Sequence, residues 1–152
     1  MQNPRTWTAL QRPGYGGLMG IALTKDSIDL GIVVTDGEAA LAFYRDLVGL
    51  TDAGSQPMPG GGTMYRLMCG TSMIKLVQNA KTPPAVSPPG GIGGSTGYRY
   101  FTITVSNIEE VTAAVKAAGH KVAVPVTNLR PGITISIVED PEGNWVEFLQ
   151  PG

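Results

Sequence analysis

Two stretches of this chain repeat one another, and no other feature limits its fold as much. The first, IDLGIVVTD followed by GEAALAFYRDLVGL, starts at Ile28; the second, RYFTITVSN followed by IEEVTAAVKAAGH, starts at Arg99. Each opens with an alternating, β-branched run that predicts a strand. Each run stops at a residue suited to cap a helix, Asp36 or Asn107. Glu110 stands three positions after Asn107, the spacing of a capping box. Amphipathic segments follow, with Ala40, Phe43, Tyr44, Leu47 and Val48 on one face in the first copy and Ile108, Val111, Val115 and Ala118 in the second. Gly49 and Gly119 then stand where a left-handed cap ends a helix. Both copies close on a strand opened by glycine, Gly70-TSMIKLVQ and Gly143-NWVEFLQ.

The offsets agree along the whole length. Asp36 and Asn107 lie 71 residues apart, Gly49 and Gly119 lie 70 apart, and Gln78 and Gln150 lie 72 apart. Thr63 to Met68 and Thr134 to Val138 read as the strands before each closing strand, and Asp140-Pro-Glu-Gly143 reads as a tight turn. Each copy is therefore one strand, one helix and about three antiparallel strands. One such unit curls its sheet but leaves a face uncovered, so two must pair around a shared core and a concave space. The expected fold is α+β: two βαβββ modules pairing into a curved mixed sheet around one pocket. The expected organisation is an N-terminal arm over 1–25 and one domain over 26–152, with module one at 26–80, a linker at 81–97 and module two at 98–152.

Composition narrows the function classes. The net charge is −1 with no clustered basic residues, which argues against nucleic acid as a partner. No apolar run approaches the ~18 residues a membrane helix needs, and the N-terminus has no signal-peptide pattern. A single cysteine, Cys69, leaves no internal disulfide to form and suits a cytoplasmic location. The 21 glycines and 12 prolines concentrate in the arm, which reads as flexible or as packed on a partner subunit, at Pro57–Gly62, and in PPAVSPPGGIGGSTG from Pro83, which reads as the linker; the glycine runs Gly60–Gly62 and Gly90–Gly94 read as mobile loops that cover the pocket.

The runs IDLGIVVTD and AALAFYRDLVGL, with VEDPEGNWVEFLQ at the end, resemble the vicinal oxygen chelate superfamily, which includes glyoxalase I, extradiol dioxygenases and bleomycin-binding proteins. The resemblance runs from about Ile28 to Gln150. It implies four inward positions, one on the first and one on the closing strand of each module, which in metal-dependent members hold a divalent ion through His, Glu or Gln. Here those positions carry Asp29, Lys75, Tyr100 and Glu147. An ammonium has no lone pair for a metal, so any ion would rest on Asp29 and Glu147 alone. The expectation is therefore no resident cofactor, with Lys75 standing where the metal's charge would be. Asp29, Lys75, Tyr100 and Glu147 are then candidate catalytic residues for proton transfer beside a carbonyl, or else a salt-bridged cluster that only satisfies itself.

Met64, Arg66, Met68, Met73, Tyr98 and Trp145 are candidate ligand-binding residues, with core filling as the alternative for each and a surface position as the alternative for Arg66. His120, the only histidine, follows Gly119 and reads as a residue of a solvated turn. The resemblance implies a homodimer acting on a small organic molecule. It leaves open a glyoxalase-like lyase or isomerase with a degenerate metal site, a metal-free ligand-sequestering protein of bleomycin-resistance type, and a divalent-metal lyase or dioxygenase.

Overall fold

The computed structural model describes residues 20–152, so most of the arm expected over 1–25 lies outside the described residues. Module one runs β1 (Leu30–Val33), α1 (Gly37–Leu41), β2 (Thr51–Pro57), β3 (Gly62–Cys69) and β4 (Ser72–Asn79). Module two runs β5 (Tyr100–Thr104), α2 (Ile108–Ala117), β6 (Val122–Arg130), β7 (Ile133–Glu139) and β8 (Trp145–Pro151). The strands form two four-stranded mixed sheets of matching order, β1-β4-β3-β2 and β5-β8-β7-β6. In each sheet the first strand runs parallel to the last and the other pairs are antiparallel. The fold is the α+β pair of βαβββ units that the repeat predicts.

Alternation along the strands separates two faces. Leu67, Ile74 and Leu76 of the first sheet and Val138, Val146 and Phe148 of the second are buried toward the helices. They join Phe43, Tyr44, Val111 and Val115 in one core drawn from both modules. Residues between them in sequence, Lys75 and Glu147 among them, lie on the opposite faces.

The helix starts depart from the capping expectation. Asp36 caps α1 as expected, through the Ala39 N–H. Asn107 makes no side-chain bond to the backbone of α2, and its amide meets only Glu110 at 3.4 Å. Instead Gln78 Oε1 accepts the Gly37 N–H at 2.7 Å and Gln150 Oε1 accepts the Ile108 N–H at 2.9 Å. The 72-residue spacing of the two glutamines thus marks an equivalent cap delivered from the closing strand of each module.

The first helix also widens. Ala42–Leu47 forms a π-helical turn, with the Val48 N–H bonded to the Phe43 carbonyl at 2.9 Å. It leaves the neighbours Phe43 and Tyr44 both fully buried. Phe43 packs edge-on against His120 at 4.9 Å, which corrects the expectation of a solvated histidine: the ring is half-buried against the other module. Tyr44 donates to Asp140 Oδ2 at 2.7 Å, a buried link between modules. No helix among the described residues is long and apolar enough to cross a membrane.

Candidate functional site

The first strands of the two modules, β1 and β5, are both sheet edges, and a cavity of about 480 Å³ lies between them. Its walls are Leu30–Thr35, Tyr98–Phe101 and the β7–β8 turn, and the stretch from Asn79 to Ser87 closes a further side. Val33 and Tyr100 are each about half exposed and Tyr98 fully so, which leaves ring and aliphatic surface open to a ligand. Thr35, Asn79, Ser87, Arg99, Glu142 and Asn144 add polar groups to the lining. The Thr35 N–H and hydroxyl both donate to Glu142 Oε1, at 2.6 and 2.7 Å, and tie β1 to the β7–β8 turn.

The glycine-rich linker is built into this site. Gly91–Gly93 forms a 3-10 turn that brings Gly91 so close to the Trp145 indole that a Cβ there would overlap the ring. Arg99 fastens the same segment, donating to the carbonyls of Gly91 (2.7 Å) and Pro88 (2.5 Å) and to the Ser87 hydroxyl (3.3 Å). Trp145 is held from its other end, where its indole N–H donates to Glu139 at 3.2 Å.

Of the ten residues singled out from the sequence, Tyr98, Tyr100 and Trp145 line this cavity. Asp29, Lys75, Met64, Arg66, Met68, Met73 and Glu147 do not. Asp29 lies just before β1, where Lys25 reaches it at 2.5 Å and the Met73 N–H at 2.9 Å. The Lys25 hydrogen bond, then the Met73 one, hold its carboxyl below the usual carboxylate range. Lys75 Nζ approaches Asp29 at 4.0 Å. In module two, Glu147 accepts the Thr102 hydroxyl at 2.7 Å. Among the described residues, no hydrogen bond or ion pair joins the Asp29–Lys75 pair to Tyr100 or Glu147, and no three His, Cys, Asp or Glu side chains come together. Met64, Arg66, Met68 and Met73 share the face of the first sheet that turns away from the helices. Cys69 is half-buried at the end of β3, where burial pushes its thiol pKa up, the opposite of what a nucleophile needs.

Sequence reasoning missed Thr35, Arg99 and Glu142. Glu142 stood in view inside the DPEGN turn, and Arg99 opened the second repeat. No pattern at Glu142 says that it will meet Thr35, 107 residues away, and none at Arg99 says that it will fold back on Ser87–Gly91. A smaller hollow of about 250 Å³ sits on the helix side, between Leu47–Leu50 and α2.

A family model described as Glyoxalase/Bleomycin resistance protein/Dioxygenase superfamily matches residues 21–148. No curated protein sequence matches the chain. Among solved structures, a glyoxalase family protein from Bacillus cereus has a TM-score of 0.75 at 18% identity, over 89% of this chain and 99% of that one. TnmS3, an antibiotic binding protein from a Streptomyces species, has a TM-score of 0.63 at 22% identity, over 89% of this chain and 100% of that one. A glyoxalase I mutant from Zea mays has a TM-score of 0.67 at 18% identity, over 81% of this chain but 46% of that chain. These likenesses are likenesses of fold.

Proposed function

Because the chain belongs to the glyoxalase/bleomycin resistance protein/dioxygenase superfamily, we propose that it binds a small, partly aromatic organic molecule in the cavity between β1 and β5 without a resident metal. The observation that carries this reading is the lining itself: Ile32, Val33, Tyr98, Tyr100, Phe101 and Trp145 supply a continuous aliphatic and ring surface beside the polar Thr35, Asn79, Ser87, Arg99, Glu142 and Asn144. A cavity of 480 Å³ is within the range that takes a drug-sized molecule. Removing apolar surface from water there is worth about 25 cal/mol per Å², and flat rings add stacking on the tyrosines and the indole. The superposition on TnmS3, whose name is that of an antibiotic binding protein, is consistent with such a role.

The donor set does not suit the divalent ion that the superfamily often holds. Lys75 offers a cation in place of a lone pair, and protonated Tyr100 is a weak ligand. Asp29 is already occupied by Lys25 and the Met73 N–H. That leaves Glu147, whose Oε1 is engaged by Thr102. An open metal site usually needs three protein ligands.

The test is a fluorescence titration of the neutral probe N-phenylnaphthylamine into chelator-dialysed protein. The expected result is saturable binding that added zinc, manganese or magnesium leaves unchanged. Tyr100→Ala and Trp145→Ala should each weaken it about tenfold, which is ~1.4 kcal/mol and fits the loss of one buried ring contact. A strict requirement for a divalent ion, or full affinity in both variants, would overturn the reading.

A further inference from the structure

The face of the first sheet that turns away from the helices carries a charge arrangement that the fold does not satisfy. The strand register puts Gly31, Lys75 and Arg66 in one row across β1, β4 and β3. Lys75 and Arg66 are therefore directly opposed on neighbouring strands. Like charges so placed destabilise a sheet pair unless something neutralises them. The row ends at the register break in β2, where Arg66 Nη2 donates to the Ala53 carbonyl at 2.9 Å. Arg66 forms no ion pair among the described residues, and its Nε is buried with no acceptor. Among the described residues, Lys75 has only the distant Asp29, which Lys25 already engages more closely. Lys25 and Lys75 thus share one carboxylate, and Arg66 has none among the described residues.

On β3 and β4 the neighbours on either side are apolar, although Thr51 and Gln56 of β2 continue the two rows and Asp29 adjoins Met73. Met68 and Met73 oppose each other on one side, and Val33, Val77 and Met64 align on the other. A pair of cations between apolar neighbours complements an oxyanion carried on an apolar body. The row also adjoins the cavity. Gly31 lines the cavity and is the strand partner of Lys75, and the space where its Cβ would stand is open. No β1 side chain stands at that point between the cavity and the strand position of Lys75.

We infer that Lys75 and Arg66 form an oxyanion seat, so that the molecule bound by this protein is an amphipathic acid whose apolar part occupies the cavity. The inference rests on the binding function proposed above and names the chemical class of its ligand. The methionines suit such a ligand because their unbranched side chains repack around different apolar outlines.

Anilinonaphthalene sulfonate and N-phenylnaphthylamine share one ring system and differ by the sulfonate, so a pair of titrations isolates the anion. The wild-type protein should bind the sulfonate at least about tenfold more tightly, as charge-assisted hydrogen bonds would require. That preference should shrink as sodium chloride is raised. In the double variant Arg66→Gln, Lys75→Gln it should fall to about one. Lys116→Gln, which removes an exposed cation from α2, should leave it in place. Thermal melting of Lys75→Gln serves as the folding control: relief of like-charge opposition predicts an unchanged or higher midpoint. Equal affinity for the two probes, or a preference that survives in the double variant, would overturn the oxyanion seat and leave the apolar cavity standing. Sulfonate binding that depends on the cations, with no binding of the neutral probe, would support the seat and overturn the cavity reading. Binding of neither probe would overturn both.

Discussion

Tyr44 joins the core to the rim of the cavity. Its ring stacks on Phe101 at 6.3 Å, and its hydroxyl donates to Asp140 across 96 residues of chain. Asp140 in turn accepts the N–H groups of Glu142 and Asn144 at 2.9 Å each, and so shapes the turn that presents Glu142, Asn144 and Trp145 to the cavity. Tyr44→Phe leaves a buried carboxylate short of one donor, which should cost about 1–3 kcal/mol and lower the thermal midpoint. Burial, then the Asp140 charge and hydrogen bond, raise the phenol well above 10.0. A raised pKa means that this contribution is whole below pH 10.0 and is lost as pH climbs from there toward the folded-state value. Wild-type stability should therefore decline in strong alkali, and that part of the decline should vanish in Tyr44→Phe when melting is followed against pH. The sequence marks Tyr44 as a core-facing helix residue and Asp140 as a turn residue, but no spacing rule says that they meet. The same limit applies at the four metal-equivalent positions. The resemblance groups Asp29 with Lys75, Tyr100 and Glu147, yet Lys25 lies outside the repeat, and it is Lys25 that holds Asp29 most closely.

At the scale of elements, the repeat predicts strands and helices well because each is a local pattern of period two or 3.6. Helix caps are less local. Asn107 and Glu110 have the spacing of a capping box, but Gln150 reaches the first N–H of α2 instead, as Gln78 does for α1. Gln150→Ala should thus cost about 1 kcal/mol in urea unfolding, whereas Asn107→Ala should cost clearly less because its side chain bonds no helix backbone. The reverse ranking would restore the capping box. The π-helical turn was also beyond the pattern, since Phe43, Tyr44 and Leu47 read as an ordinary apolar stripe. With the wider turn, two adjacent rings are both buried, one against His120 and one beside Asp140. The Pro83–Gly97 segment reads from composition as a loose connector. Its order comes from Arg99 and from the close contact of Gly91 with Trp145, which depends on glycine's lack of a side chain.

At the scale of the whole molecule, pairing the modules creates the site. Thr35–Glu142, Tyr44–Asp140 and Phe43–His120 each cross from one module to the other, and the cavity opens between the two edge strands they bring together. Two sheets with their helices packed into one core leave two opposite faces and a central seam, and the repeat makes that arrangement legible. The seam's lining is less legible, because strand edges, a connector and a turn supply it, and no periodic pattern marks those. The central claim is that this seam takes an organic ligand with no metal. It is tested most directly by amide chemical-shift mapping of chelator-treated protein titrated with N-phenylnaphthylamine. The account predicts saturating shifts at Gly31–Thr35, Tyr98–Phe101 and the Trp145 indole N–H. Shifts confined to Leu47–Leu50 and α2, around the smaller hollow, or shifts that arise only after a divalent ion is restored, would contradict it.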